Sequence, residues 1–161
     1  MNIAFGKRGF KNVVTYINSG NVIFDGDSDE AAVKTVCGEL IAESFGLKII
    51  VGIISAVELA DAVAHAPEWW NVSKDSKHNA IFVIPPMTAQ EIISEIGEAK
   101  PEYEKVDCYG NVIFWSAPLA TFNHTRWSKI VESKRAYNAV TIRNANTALK
   151  LAELTKQSEK Q

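Results

Sequence analysis

Apolar positions in this chain fall into short alternating runs and longer stretches of helical period, and one run occurs twice. Residues 13–17 and 22–24 are β-branched and aromatic runs around the polar turn Asn18-Ser19-Gly20-Asn21, which is the pattern of a hairpin. Further along, Gly110-Asn111-Val112-Ile113-Phe114 repeats Gly20-Asn21-Val22-Ile23-Phe24 letter for letter. Here residues 106–109 and 112–116 flank Gly110-Asn111, two residues that tolerate positive φ, so a second hairpin is expected.

The elements around the second hairpin are the clearer set. The apolar run 78–84, closed by Pro85-Pro86, predicts a buried strand. Thr88-x-x-Glu91 is a capping box at a helix start, and behind it Ile92, Ile93 and Ile96 share one helical face. After the hairpin a helix is predicted over 124–135 with Trp127, Ile130 and Val131 facing inward, then a strand over 139–143. The order β-α-β-β-α-β is that of a ferredoxin-like unit.

The first half repeats this order from its hairpin onward. Val33, Val36, Cys37, Leu40, Ile41 and Phe45 line one helical face, Gly46 stands where a C′ residue belongs, and residues 47–54 read as the closing strand. Ser55-x-x-Glu58 caps a further helix to about residue 65, as Asn144 caps a final helix after Arg143. The expected fold is α+β, with tandem ferredoxin-like units. Residues 1–66 form an incomplete unit plus an extra helix, 67–77 a Trp-containing linker, and 78–161 a complete unit plus a C-terminal helix. Only MNIAFGKRGF precedes the first hairpin, so the first unit is expected to lack its opening strand and most of its first helix. That strand is central in such a sheet, and its loss leaves open edges for a missing segment or a neighbouring chain to fill.

Composition narrows the class. At 161 residues with 47% hydrophobic and 22% charged residues, the chain reads as an ordinary soluble globular protein of one domain or two small ones. No apolar run approaches the ~20 residues that span a bilayer, and the start lacks a signal peptide's apolar stretch. A cytoplasmic location is the expectation. Cys37 and Cys108 have no CxxC spacing and read as reduced, buried thiols. The net charge of −2 is unevenly spread: residues 1–123 carry 9 Lys/Arg against 16 Asp/Glu, residues 124–161 carry 8 against 3. At pI 5.9 a nucleic-acid coat is not expected, although the basic tail can hold a local anion.

Several of these stretches resemble a bacterial family without assigned function, the domain-of-unknown-function 1697 family. They are Gly9-Phe10-Lys11-Asn12-Val13 leading into residues 15–24, Pro67-Glu68-Trp69-Trp70, Ile113-Phe114-Trp115, and Thr141-Ile142-Arg143-Asn144-Ala145-Asn146-Thr147 with Lys150-Leu151. The resemblance implies paired ferredoxin-like halves and brings no catalytic residues. It also implies an opening strand and a Gly-rich segment of the type LLRGINVGG, which this sequence does not contain.

Candidate chemistry concentrates at Arg143, Asn144, Asn146 and Thr147. A strand delivers an arginine to a helix start, where amides without intrahelical partners and the positive dipole end favour an anion. The plain alternative is that Asn144 caps the helix while Arg143 pairs with an acidic residue. Asn18, Ser19 and Asn21 either bond back to their own turn or line a cleft. His124-Thr125-Arg126-Trp127-Ser128-Lys129 reads as a solvated helix face, since Ser128 and Lys129 point about 100° apart. His65 and His78 lack metal spacing. Asp25, Asp27 and Asp29 begin like a calcium loop, without its Gly and Glu. Trp69, Trp70, Trp115 and Trp127 are expected to seal the two units together. No paired carboxylates, G-x-S-x-G, P-loop or dinucleotide fingerprint is present, and no cofactor or metal is expected. The functional expectation is a non-catalytic small-anion or protein-binding module. The alternative is an enzyme acting on a phosphorylated or carboxylated metabolite. The oligomeric state stays open.

Overall fold

The computed structural model describes residues 1–17, 20–26 and 29–158. By internal contacts the chain divides into two compact units, Met1–Ala56 together with the chain from Lys150 onward, and Val57–Leu149.

The first unit opens with α1 (Asn2–Lys7) and an antiparallel pair, β1 (Lys11–Tyr16) and β2 (Asn21–Asp25). Val14 pairs with Ile23, Thr15 with Val22 and Tyr16 with Asn21; the register is irregular between Lys11 and Val14, where Asn12 takes φ 51°. Helix α2 (Glu30–Phe45) starts on Asp29, whose Oδ1 accepts the Ala31 amide at 3.1 Å. It ends on Gly46 at φ 66°, a left-handed position that glycine occupies without Cβ strain. Its buried face is Cys37, Leu40 and Ile41, which with Phe5 form a core that also receives Val22, Phe24, Val51 and Ile53. Phe45, expected on that face, is exposed at the helix end.

The closing strand expected over residues 47–54 is not formed. These residues follow α2 without strand pairing. Val51 and Ile53 reach the core, while Leu47, Ile49 and Ile50 are 54%, 54% and 50% exposed. The alternation is that of a strand, but a strand exists only beside a partner. Among the described residues this sheet holds β1 and β2 alone.

Helix α3 (Ala56–Ala64) leads into the second unit. There follow β3 (Ser76–Val83), α4 (Ala89–Ile96), β4 (Lys105–Tyr109), β5 (Val112–Pro118), α5 (Lys134–Tyr137), β6 (Val140–Asn144) and α6 (Ala145–Ser158). The strands form one antiparallel sheet in the order β4-β5-β3-β6. Each face has its own core. On one, Ile81, Ile113 and Trp115 pack with Ile92, Trp127 and Ile130. On the other, Ala80, Val112 and Phe114 pack with Ala62, Trp70, Ala145 and Ala148. The tryptophans therefore serve opposite faces of one sheet inside the second unit: Trp115 and Trp127 on one side, Trp69 and Trp70 on the other.

Local signals set the helix starts. The capping box forms in full: Thr88 Oγ1 accepts the Glu91 amide at 3.2 Å and Glu91 Oε2 accepts the Thr88 amide at 2.8 Å. The helix expected over 124–135 is instead two 3₁₀ turns, Leu119–His124 and Trp127–Glu132, followed by α5. Trp127 and Ile130 are buried, as i and i+3 eclipse in a 3₁₀ turn, but Val131 points to solvent. Ser133 causes the break, because its hydroxyl accepts the Ala136 amide and starts α5 afresh.

Candidate functional site

The junction of β6 and α6 gathers four of the residues singled out from the sequence. Asn144 Oδ1 accepts the Thr147 amide at 2.8 Å, a side-chain cap on the first turn of α6. Arg143, one residue earlier and half-buried, donates from one guanidinium nitrogen to Thr141 Oγ1 at 3.2 Å and to the Ile142 carbonyl at 2.8 Å. Burial pulls its pKa below the ordinary arginine value, since a partly dehydrated cation holds its proton less firmly. The guanidinium is thus a fixed group turned back along its own strand. Thr147 is buried; Asn146 is exposed, with its Oδ1 accepting from Asn71 Nδ2 at 3.5 Å.

The hairpin residues are a separate matter. Asn21 belongs to the first unit, where its Nδ2 donates to the Tyr16 carbonyl at 3.1 Å and closes the turn from inside. Asn18 and Ser19 lie outside the described residues. Of the acidic run, Asp25 accepts Asn12 Nδ2 at 2.6 Å and Asp29 caps α2; Asp27 is likewise outside the described residues. Among the described residues no group of three His, Cys, Asp or Glu could hold a metal ion.

Three other clusters carry polar chemistry. Glu104 is 3% exposed and its two oxygens accept four N–H groups: Lys100 N and Arg126 N on one, Trp115 Nε1 and Trp127 N on the other. Such a carboxylate is an anchor, with its acceptor capacity already spent on the chain. His78 is buried, with Nε2 donating to the Ser73 carbonyl at 2.7 Å and Nδ1 2.5 Å from Ser116 Oγ. A serine–histidine contact invites a nucleophile reading. Yet both side chains are buried and face each other across paired strands, so the contact is a cross-strand tie. On the surface, Tyr109 donates to Asp61 at 3.0 Å and stacks on His65 at 4.1 Å; the carboxylate raises the phenol's pKa. Glu104 gave no signal in the sequence, because Glu102-Tyr103-Glu104-Lys105 reads as a solvated stretch. A shallow depression of about 380 Å³ in the first unit is lined by residues of α1 and α2, among them Lys7, Arg8 and Glu43, the last two ion-paired.

Residues 1–114 match a family described as protein of unknown function (DUF1697). The chain belongs to the DUF1697 family. The match ends within β5, so the β6–α6 junction lies beyond the part of the chain that carries it. Among solved structures, this DUF1697 chain is similar to a conserved bacterial protein, SP0830 from Streptococcus pneumoniae. The TM-score is 0.82 and the identity 22%, over 94% of this chain and 84% of that one. At that identity the likeness is one of fold. No curated protein matches. No helix among the described residues is long and apolar enough to cross a membrane.

Proposed function

We propose that this DUF1697 chain is a non-catalytic protein-binding module and that its first unit supplies the binding surface. One observation carries the reading. Val22-Ile23-Phe24 and Val112-Ile113-Phe114 are chemically identical, yet the second set is 4%, 0% and 0% exposed and the first is only half-buried. The same unit also exposes Leu47, Ile49, Ile50 and Ile54. Uncovered apolar side chains grouped in one compact unit are the usual mark of a docking surface.

The reading includes a finer account of the fold, in which both units follow a ferredoxin-like pattern. The order β4-β5-β3-β6, with α4 between β3 and β4, supports it in the second unit. In the first, the described residues supply the hairpin and α2 of that pattern, without its closing strand. A photo-crosslinking residue placed at position 49, with position 131 of the second unit as control, tests the module in cells. Discrete adducts with another polypeptide from 49 and none from 131 are expected. Equal or absent adducts sink the reading.

A second reading places a small anion at Arg143. It is favoured by the guanidinium held on Thr141 and Ile142 immediately before α6. Inorganic phosphate should then shift the backbone resonances of 143–147 in the wild type and leave Arg143→Ala unmoved; identical responses refute it.

A further inference from the structure

We infer that the surface above Glu104 is a binding site for a small phosphorylated ligand that carries a flat ring, with Arg126 and Lys100 on the phosphate and His124 on the ring. The site lies within the second unit and is independent of the docking surface proposed for the first.

The buried carboxylate assembles it. Glu104 Oε1 accepts the Lys100 amide at 3.0 Å and the Arg126 amide at 2.8 Å, so two loops distant in the sequence meet at one oxygen. Only backbone groups are used in this clamp, and the Lys100 and Arg126 side chains stay at the surface. Lys100 Nζ donates to the His124 carbonyl at 2.9 Å, which draws the ammonium across to the second loop. Tyr103, whose amide donates to the Lys100 carbonyl, stacks on the His124 ring with centroids 5.2 Å apart and planes 27° apart. Arg126 lies along Gly97: a Cβ there would stand 2.9 Å from Nη1 and 3.3 Å from Cδ. Gly97 sits at φ 94° and holds Trp127 Nε1 on its carbonyl at 3.1 Å, so a fixed glycine gives the guanidinium its seat.

No carboxylate occupies this pair of cations. Among the described residues neither Arg126 nor Lys100 has one within ion-pairing distance, and Glu104 beneath them is spent on N–H groups. Residues 118–131 contain no Asp or Glu. Glu98 and Glu102, exposed on the first loop, weaken the field for an anion without pairing with either cation. A guanidinium presents a planar fork that matches phosphate oxygens, and an ammonium bonded to one carbonyl still has N–H groups to give. The exposed His124 ring, backed by Tyr103, offers a flat group a surface to stack on. A phosphate monoester with an attached ring satisfies both halves of the site. The chain's net charge of −2 favours a small ligand of this kind over a polyanion.

The experiment uses the full chain with adenosine monophosphate, adenosine and inorganic phosphate as probes, read by amide resonances and titration calorimetry. Adenosine monophosphate is expected to move amides within 97–103 and 124–127 and to saturate below about 1 mM. Adenosine or phosphate alone should bind at least about tenfold more weakly. Arg126→Ala and Lys100→Ala should each weaken the nucleotide about tenfold at low salt, with Arg126→Lys in between. His124→Ala should weaken the nucleotide and leave phosphate unchanged. These changes leave the backbone amides on Glu104 in place, so an unchanged urea midpoint is expected, and the comparison of probes on the wild type stands whatever the variants' stability. The inference is overturned if the nucleotide does not saturate by about 1 mM, or if adenosine or phosphate alone binds as tightly. It is also overturned if every variant binds like the wild type, or if the shifts fall at 143–147 instead, which assigns the phosphate to the start of α6.

Discussion

A carboxylate can stay buried only with its oxygens occupied, and Glu104 has four N–H groups on its two oxygens. Glu104→Gln turns one oxygen into a donor facing two donors. We expect it to cost about 3 kcal/mol, read as a lower urea midpoint; a loss below about 1 kcal/mol would mean the loop is held by something else. Cys37 makes a pH prediction. Burial raises its thiol pKa above the ordinary 9.0, so the folded chain holds that proton more firmly than the unfolded one. The contribution is complete below pH 9 and is lost as pH climbs past it. Between about pH 8 and pH 10 stability should fall less in Cys37→Ala than in the wild type; an identical slope would clear Cys37 of that role. At the start of α6, Asn144→Ala should cost about 1 kcal/mol as a lost cap. Asn146→Ala should cost less than about 0.5 kcal/mol, as its contact with Asn71 is long and exposed. Equal costs would argue against the capping role.

At the scale of elements, periodicity and caps carried most of the information. The end of α2 could be placed at Gly46 and the start of α4 at Thr88, because each boundary residue acts through bonds within a few positions, while the Asp29 cap went unread. The stretch 119–137 could not be placed as one helix, because Ser133 restarts it locally and Glu104, far off in sequence, takes the Arg126 and Trp127 amides where the second 3₁₀ turn begins. Residues 47–54 failed for a different reason: an apolar run reads as a strand, but pairing depends on a neighbour that the run itself does not specify. Among the site residues, the cap at Asn144 was legible because it is local. The orientation of Arg143 was not, since several rotamers suit the same letter. The duplicated pentapeptide offers a direct check. Amides of Val112–Phe114, bonded on both sides within the sheet, should exchange at least tenfold more slowly than those of Val22–Phe24; similar rates would show that the β2 edge is covered.

Over the whole molecule, the two units divide the structural burden unequally. The second has a four-stranded sheet with a core on each face, whereas the described residues of the first form two strands and one core. The duplication and an incomplete first unit were both expected from the letters, but the exposure of that unit's apolar residues was not. The family match covers both copies of the repeated pentapeptide and ends within β5, so the repeated motif lies within it while the Arg143 junction does not. Residues 47–54 then have a bearing on the protein's fate. LKIIVGII has a single charge and no proline, the composition of segments that stack into fibrils when left bare. Lys48 alone guards it. In the protein-binding module proposed above, a partner seated on this segment also slows aggregation and degradation, so abundance should follow supply of that partner.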